Sequence, residues 1–419
     1  MAGLFDVVVV GGGFGGVCAG VAAARNGART LLVERYGFLG GMGTAGLVNP
    51  FMTYFAGEEQ IIEGIFSEIL EGLRQSGGLG ERGRIFDEEL LKLVMDELVV
   101  GSGAETRFHS YLSGVKKDKN LIKSAEFLGK SGPEEFEAQI FVDATGDGDL
   151  AALAGCPYEK GRKEDGLSQA MTLCFRLAGV DMDKVPGEDW KGKREFISGK
   201  FLEAKKRGEI TNPRHNVLFF RTLRKDVIHF NTTRIVRRDA TSTGDLTQAE
   251  IEGRRQVQEM MQFLKKEIPG FENAILEKMA AQIGVRESRR IMGEYVMTEE
   301  DITQARKFED AVARGSYPID IHSPTGEGTV IKHLPPGESY DIPYRSLVPK
   351  EVDNLLIASR CISATHEAHG AIRVMPIVAA IGQAAGTAAA LSIQEKTIPR
   401  KLDVTKLRKK LIEDGANLG

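Results

Sequence analysis

The chain is short of cysteine, and the cysteines it has keep apart. Cys18, Cys156, Cys174 and Cys361 stand singly in 419 residues. A disulfide scaffold, a zinc site, a dithiol relay and an iron–sulfur set all need closer thiols, so no metal is expected. Basic excess is missing too. Lys and Arg number 55 against 59 Asp and Glu, a net charge of −4, and no basic aromatic stripe is visible, so nucleic acid is excluded as the main partner. Internal repeats and low-complexity tracts are absent. One uncharged stretch, 374–394, reaches membrane-spanning length, but Pro376, Gly382, Gln383, Gly386 and Thr387 interrupt it, and a helix buried in protein is expected rather than a membrane span. The first apolar run has no positively charged region before it, the pattern of a cytoplasmic protein.

What is present is enough apolar material for large cores. With 42% hydrophobic and 27% charged residues, disorder is excluded as the main theme, and the length suggests two domains. Residues 5–10 form an apolar run ended by Gly11-Gly12-Gly13-Phe14-Gly15-Gly16, and an alanine-rich segment and the run 30–33 follow. This reads as strand, turn, helix and strand within about 30 residues. Helices are expected at 58–74 and 86–99, the second with Phe86, Leu90, Leu93, Val94 and Leu98 on one face. Alternating segments at 106–109, 111–115, 121–128 and 136–142 predict a small β-meander. The polar stretch 155–168 marks a crossing into a second domain. Beyond it, strands are expected at 171–177, 217–222 and 227–231. A long helix follows, opened by the capping box Thr247-x-x-Glu250 and ended by Pro269-Gly270. A strand at 355–359 and a helix opening at Pro376 complete the pattern.

Gly11-x-Gly13-x-x-Gly16 lies between strand and helix, and Glu34 closes the second strand 18 residues after Gly16. A dinucleotide needs this arrangement: a tight turn, close backbone approach of its pyrophosphate to a helix N-terminus, and a carboxylate for ribose hydroxyls. Glu34 would repel a 2′-phosphate, which disfavours NADP. Directly afterwards comes a second glycine-rich loop, Arg35 to Thr44, where a nicotinamide enzyme would carry a helix. A flavin explains it, because FAD is longer and needs backbone approach along its ribityl region.

Glu34 with Gly40-Gly41-Met42, the run Asp143-Ala144-Thr145-Gly146-Asp147-Gly148-Asp149, Asn354 to Arg360, and Arg373-Val374-Met375-Pro376 before Gly382-Gln383-Ala384-Ala385-Gly386 resemble the FAD-dependent oxidoreductases with a glutathione-reductase-type flavin fold. Arg286 to Arg290 and Tyr340 to Arg345 carry the likeness through the middle of the chain. Within that family the sequence is most similar to the xanthan-lyase-associated proteins, which are similar in part to heterodisulfide reductase. The resemblance implies an α/β protein: a Rossmann-type FAD-binding domain with a β-meander, formed by 1–160 and 350–419, and a mixed α+β substrate domain at 161–349. It also implies that Gly11, Gly13, Phe14, Gly15 and Gly16 hold the pyrophosphate, and Glu34 and Arg35 the AMP side. Gly41, Met42 and Thr44 would line the ribityl chain and flavin, and the Leu112 backbone would meet adenine. Ala144, Thr145 and Gly146 would pass close to the cofactor, with Arg373, Val374 and Met375 beside the isoalloxazine and Arg360 near it.

No second GxGxxG and no vicinal cysteine pair accompany these motifs, which excludes a pyridine nucleotide–disulfide reductase. The expected activity is hydride transfer between a small organic substrate and flavin N5, with an unidentified electron acceptor. Two alternatives stand beside it: a reductase or electron-transfer subunit fed by an external donor, and an FAD-binding protein without turnover. A homo-oligomer stays open. His366 and His369 are the candidate proton acceptors, since imidazole suits that work near neutral pH. Arg234, Arg237, Arg238, Arg286, Arg289 and Arg290 offer forks for a substrate carboxylate or phosphate, with ordinary ion pairing as the alternative.

Overall fold

Val7, Val8, Val9 and Val10 are all buried because their strand runs through the middle of a parallel sheet covered on both faces. The computed structural model describes residues 3–326 and 328–419. Strands β1 (Gly3–Val10), β2 (Thr30–Val33), β3 (Glu105–Arg107), β4 (Tyr111–Asp118), β5 (Leu121–Gly129) and β6 (Gly132–Asp143) share one sheet with the late strand Leu355–Ile357. In space β3, β2, β1, β6 and the late strand run parallel in that order. This is the doubly wound arrangement whose ligands sit beyond the carboxyl ends of the strands.

β4, β5 and the first half of β6 form an antiparallel meander. The segment at 106–109, expected within the meander, instead supplies the parallel edge strand β3 beside β2. Its side chains are half-exposed or exposed, so alternation alone could not say which neighbour it would take.

The helix α1 (Phe14–Arg25) lies against the helix Met375–Gln394, and glycine permits the approach. A Cβ on Gly382 would stand 2.2 Å from the Gly15 carbonyl oxygen, and one on Gly386 would stand 2.1 Å from that of Ala19. The second helix is long and apolar enough to cross a membrane, yet 83% of its apolar window is buried within the protein.

Other helices differ in detail from the expected pattern. Glu88–Ser102 buries Leu91, Val94, Met95 and Val99, while Leu93 is 57% exposed. The buried stripe is therefore rotated from the one read around Leu90, Leu93 and Leu98. The long helix begins earlier than its expected capping box: Thr243–Glu267 is capped by Ser242, whose side chain accepts from the Asp245 N–H. Thr247 and Glu250 lie inside it, with Glu250 accepting from the Ile283 N–H at 2.5 Å.

A second hydrophobic core lies over the first. Phe219–Arg221, Ile228–Phe230, Phe175–Ala178 and Ile275–Met279 form an antiparallel sheet in that order, packed with Trp190–Lys206 and Thr243–Glu267 through Ile197, Phe201, Val257, Met260 and Leu264. This core ends at Val285, short of the boundary expected at 349. Ile291, Met297, Val312, Tyr340 and Leu347 join the first core instead. The strand pair Ala311–Gly315 and Tyr340–Pro343 is buried against it, so an apolar surface already present claims this segment. All four cysteines are buried and free.

Because Ala19 backbone occupies the space beside Gly386, Gly386→Ala is expected to cost about 1–3 kcal/mol. Chemical denaturation of the variant and the wild type checks this; an unchanged midpoint would show that the two helices separate at no cost.

Candidate active site

Three carboxyl ends of the sheet meet at one place: β1 at Gly11, β6 at Ala144 and the late strand at Ala358. Gly11 has φ +104°, and a Cβ there would stand 2.4 Å from the Ala144 carbonyl oxygen. Gly16 and Gly15 are needed for contact within the protein, since their Cβ atoms would stand 1.7 Å from the Gly11 and Ala358 carbonyl oxygens. Gly13 is different. It caps α1 with φ −72° and ψ −174°, an extended conformation open to any residue, and the nearest atom to a Cβ there is Gly41 Cα at 3.8 Å. The protein puts nothing where that side chain would go; the space belongs to the cavity. No side chain caps α1 and its first turn holds no acid, so its leading N–H groups are free to meet an anion.

Glu34 is buried at the end of β2, with one carboxylate oxygen accepting from the Gly12 N–H at 2.5 Å and the other from the Tyr36 N–H at 2.9 Å. Burial raises its pKa above the ordinary carboxylate value. Across the cavity, Asp143 fixes the loop after β6: one oxygen accepts from the Thr145 N–H and hydroxyl at 3.0 and 2.8 Å, the other from the Ala151 N–H at 2.8 Å. Arg360 donates to Asp147 at 2.6 Å, as does Ser288 at 2.6 Å. The Met375–Gln394 helix points its N-terminus at the same space, with no side-chain cap and proline in its first turn.

Glu34, Thr145, Asp147, Arg360 and the starts of the two helices line a cavity of about 490 Å³. Of the residues expected at a cofactor, Gly11, Gly13, Phe14, Gly15, Glu34, Arg35, Gly41, Met42, Ala144, Thr145, Gly146, Arg360, Arg373, Val374 and Met375 lie on its wall. Three expected residues do not. Gly16 is enclosed against Gly11, Thr44 turns its hydroxyl to the Leu39 carbonyl oxygen at 2.7 Å, and Leu112 stays on the meander strand β4.

The expected histidines lie elsewhere. His366 bonds Glu287 through Nδ1 at 2.8 Å, and Glu287 also pairs with buried Arg290. Arg290 in turn donates to the Ala364 and Gly161 carbonyl oxygens, each at 3.0 Å. These groups satisfy one another and tie the interdomain crossing to the helix His366–Ile372. His369 is fully buried with neither ring nitrogen partnered, and burial with nearby Arg290 holds its pKa well below the usual value. Neither histidine reaches the cavity wall. Cys361 is likewise enclosed, its thiol 3.0 Å from the Ser359 hydroxyl.

The opposite wall comes from the second core and the hairpin Ile319–His322 with Thr329–Lys332. It carries Arg214, Asn216, Arg286, Tyr317, Asp320 and His322, of which only Arg286 was among the sequence candidates. Arg289 pairs with Asp149, Arg290 with Glu287 and Arg238 with Asp245, as ordinary ion pairing would have it. Arg234 donates to His322 Nδ1 at 3.1 Å. A guanidinium only donates, so Nδ1 is the acceptor and the proton of His322 sits on Nε2, facing Asp320 at 3.4 Å. Burial, then Arg286, pushes the His322 pKa down to about 3, so the ring is neutral. Tyr317 donates to the same Asp320 oxygen at 2.8 Å. Burial opposes charge on Asp320, yet His322, Arg373 and Tyr317 together hold its carboxyl below the ordinary range. A sequence pattern could not have found this wall, because its residues come from three stretches far apart in sequence, 214–216, 286 and 317–322.

A family model described as FAD dependent oxidoreductase matches residues 6–411. The chain belongs to the FAD-dependent oxidoreductase family. FAD is accordingly its cofactor, and the protein is an oxidoreductase. The cradle fits that group: space kept at Gly13, an uncapped helix N-terminus and a carboxylate at the end of β2 are the features a flavin dinucleotide requires. Among solved structures, a geranylgeranyl bacteriochlorophyll reductase-like protein from Thermoplasma acidophilum is 13% identical with a TM-score of 0.50, covering 100% of this chain and 85% of its own. A flavin-dependent brominase triple mutant is 13% identical with a TM-score of 0.51, over 98% and 84%. At such identity the likeness concerns the fold alone. No curated protein matches the chain. Among the described residues no cluster suited to a metal ion occurs.

Gly13→Val is expected to leave the stability of the flavin-free protein unchanged and to weaken FAD binding at least about tenfold, whereas Gly16→Val destabilises the fold itself. Thermal melts of the flavin-free proteins and FAD titrations separate the two; equal loss of stability in both variants would show that Gly13 also serves packing.

Proposed function

We propose that the protein transfers a hydride between a small organic substrate and the flavin, with the substrate seated against the polar wall formed by the second core. One observation carries this reading: the dinucleotide cradle and that wall line the same cavity. FAD, when bound, supplies two-electron chemistry. The chain supplies position and charge. Gly11, Gly13, Phe14 and Gly15 would take the pyrophosphate, Glu34 and Arg35 the AMP side, and Met42, Val374 and Met375 the flavin flank. The uncapped start of the Met375–Gln394 helix would stabilise negative charge on the reduced cofactor.

The polar wall orients the substrate rather than acting as a tuned base. His322 is neutral with its acceptor nitrogen filled, and Asp320 is held ionised by His322, Tyr317 and the Arg373 charge, so neither is poised near neutral pH. A flavin site without turnover would be expected to face apolar side chains; the charged wall favours an enzyme. We assign the chain to the glutathione-reductase-type group resembling xanthan-lyase-associated proteins, supported by the strand order and meander. Residues 161–285 act as its substrate domain, and the cytoplasm is its compartment, in keeping with four free thiols.

Purified protein is expected to carry a visible flavin spectrum and to release FAD, identified by mass. Glu34→Ala should weaken FAD binding about tenfold or more through loss of charge-assisted hydrogen bonds. Protein that neither contains nor takes up FAD would overturn the reading, and unchanged affinity in the variant would remove Glu34 from the ribose.

A further inference from the structure

Among the described residues, the cavity wall holds more positive charge than its ion pairs balance. Arg373 is paired, its guanidinium 3.6 Å from Asp320 and donating to the Asp320 carbonyl oxygen at 3.1 Å. Arg214 and Arg286 are not. Arg214, 3% exposed, donates to the Asn231 carbonyl oxygen at 3.0 Å and to Asn216 Oδ1 at 3.1 and 3.2 Å. Arg286 donates to the Ala170 carbonyl oxygen and the Thr172 hydroxyl, each at 2.7 Å, and to Asn231 Oδ1 at 3.2 Å. Every acceptor is neutral, and neither arginine forms an ion pair with a described residue. Asn231 bonds both, one through its backbone and one through its side chain, which fixes the two guanidinium groups as neighbours. Burial, with repulsion between arginines, lowers Arg214 to about 9 and Arg286 to about 10; both stay charged near neutral pH.

Two adjacent, buried cations with no ion-pair partner among the described residues are costly, and an incoming anion removes much of that cost. We propose that Arg214 and Arg286, braced by Asn231, form the subsite for the carboxylate of an organic acid substrate, an inference that rests on the flavoenzyme reading above. Planar guanidinium forks match a carboxylate in two parallel bonds. Ionised Asp320 on the same wall repels a second negative charge, which favours a singly charged carboxylate over a phosphate dianion. Leu218, Phe220 and Ile331 also face the cavity, so the acid carries an apolar body.

The test is a titration of the FAD-loaded protein with benzoate and hexanoate, with their uncharged amides, and with inorganic phosphate, followed by the flavin visible spectrum. The carboxylates are expected to perturb the spectrum saturably, at least tenfold more tightly than the amides or phosphate. Arg214→Gln and Arg286→Gln should each weaken that binding at least tenfold with flavin retained, and Arg286→Lys should keep more of it than Arg286→Gln. Equal binding of acid and amide, tighter binding of phosphate, or no carboxylate effect on flavin-loaded protein overturns the subsite while leaving the flavoenzyme standing. Absence of flavin overturns the earlier reading instead. If either glutamine variant loses its fold or its flavin, the acid-against-amide comparison on wild type still decides.

Discussion

Everything at this site depends on how closely backbone can approach backbone where α1 leaves the sheet. Gly11 lies against the carbonyl of Ala144, Gly16 against that of Gly11, and Gly15 against that of Ala358. These contacts pull the ends of β1, β6 and the late strand together, and only residues without Cβ allow it. Gly382 and Gly386 then bring the Met375–Gln394 helix against α1. Two helix N-termini, more than 350 residues apart in sequence, thus open into one cavity. Neither is capped by its own side chains, so the donors that most helices satisfy internally remain for a ligand.

The other half of the cavity works by charge rather than by fit. The cradle offers backbone donors and the Glu34 carboxylate, whereas the wall opposite gathers Arg214, Asn216, Arg286, Tyr317, Asp320 and His322. Arg234 fixes the tautomer of His322, His322 and Tyr317 hold Asp320 as an anion, and Asp320 balances Arg373. That chain pairs Asp320 with Arg373, while Arg234 donates to neutral acceptors. Arg214 and Arg286 stand outside it, held by carbonyl, amide and hydroxyl oxygens, with no ion-pair partner among the described residues.

The sequence displayed the cradle because its physics is local. A tight turn, a helix start and a carboxylate at the end of the next strand fall within 34 residues, and each residue type has a steric or electrostatic reason to be there. The Asp143 loop and the Arg373 segment were legible through resemblance. The wall was not. Arg214, Tyr317 and Asp320 lie in stretches with no periodicity or motif, and only the packing of the second core and the hairpin at 319–332 brings them to the cofactor side. His366 and His369 sit close in sequence to Arg360 and Arg373, which do line the cavity, but both rings are buried off its wall, and Glu287 bonds that of His366.

The distribution of the chain between the two cores follows a related logic. A composition shift near 160 marked where the chain leaves the first core, but nothing in composition marks its return. Residues beyond 285 re-enter the first core through Ile291, Met297 and the strand pair around 311–343, so the chain crosses between the cores just where Arg286, Glu287 and Arg290 lie. Arg286 faces the cavity, while Glu287 and Arg290 bind the crossing to His366 and Gly161. Neighbouring residues therefore divide two tasks that compete for the same chain: one positions charge for a ligand, and the others fasten the domains that enclose it. Glu287 also accepts from the Gln169 N–H at 2.9 Å, so the substrate wall is tied to the same buried network that fastens the crossing between the two cores.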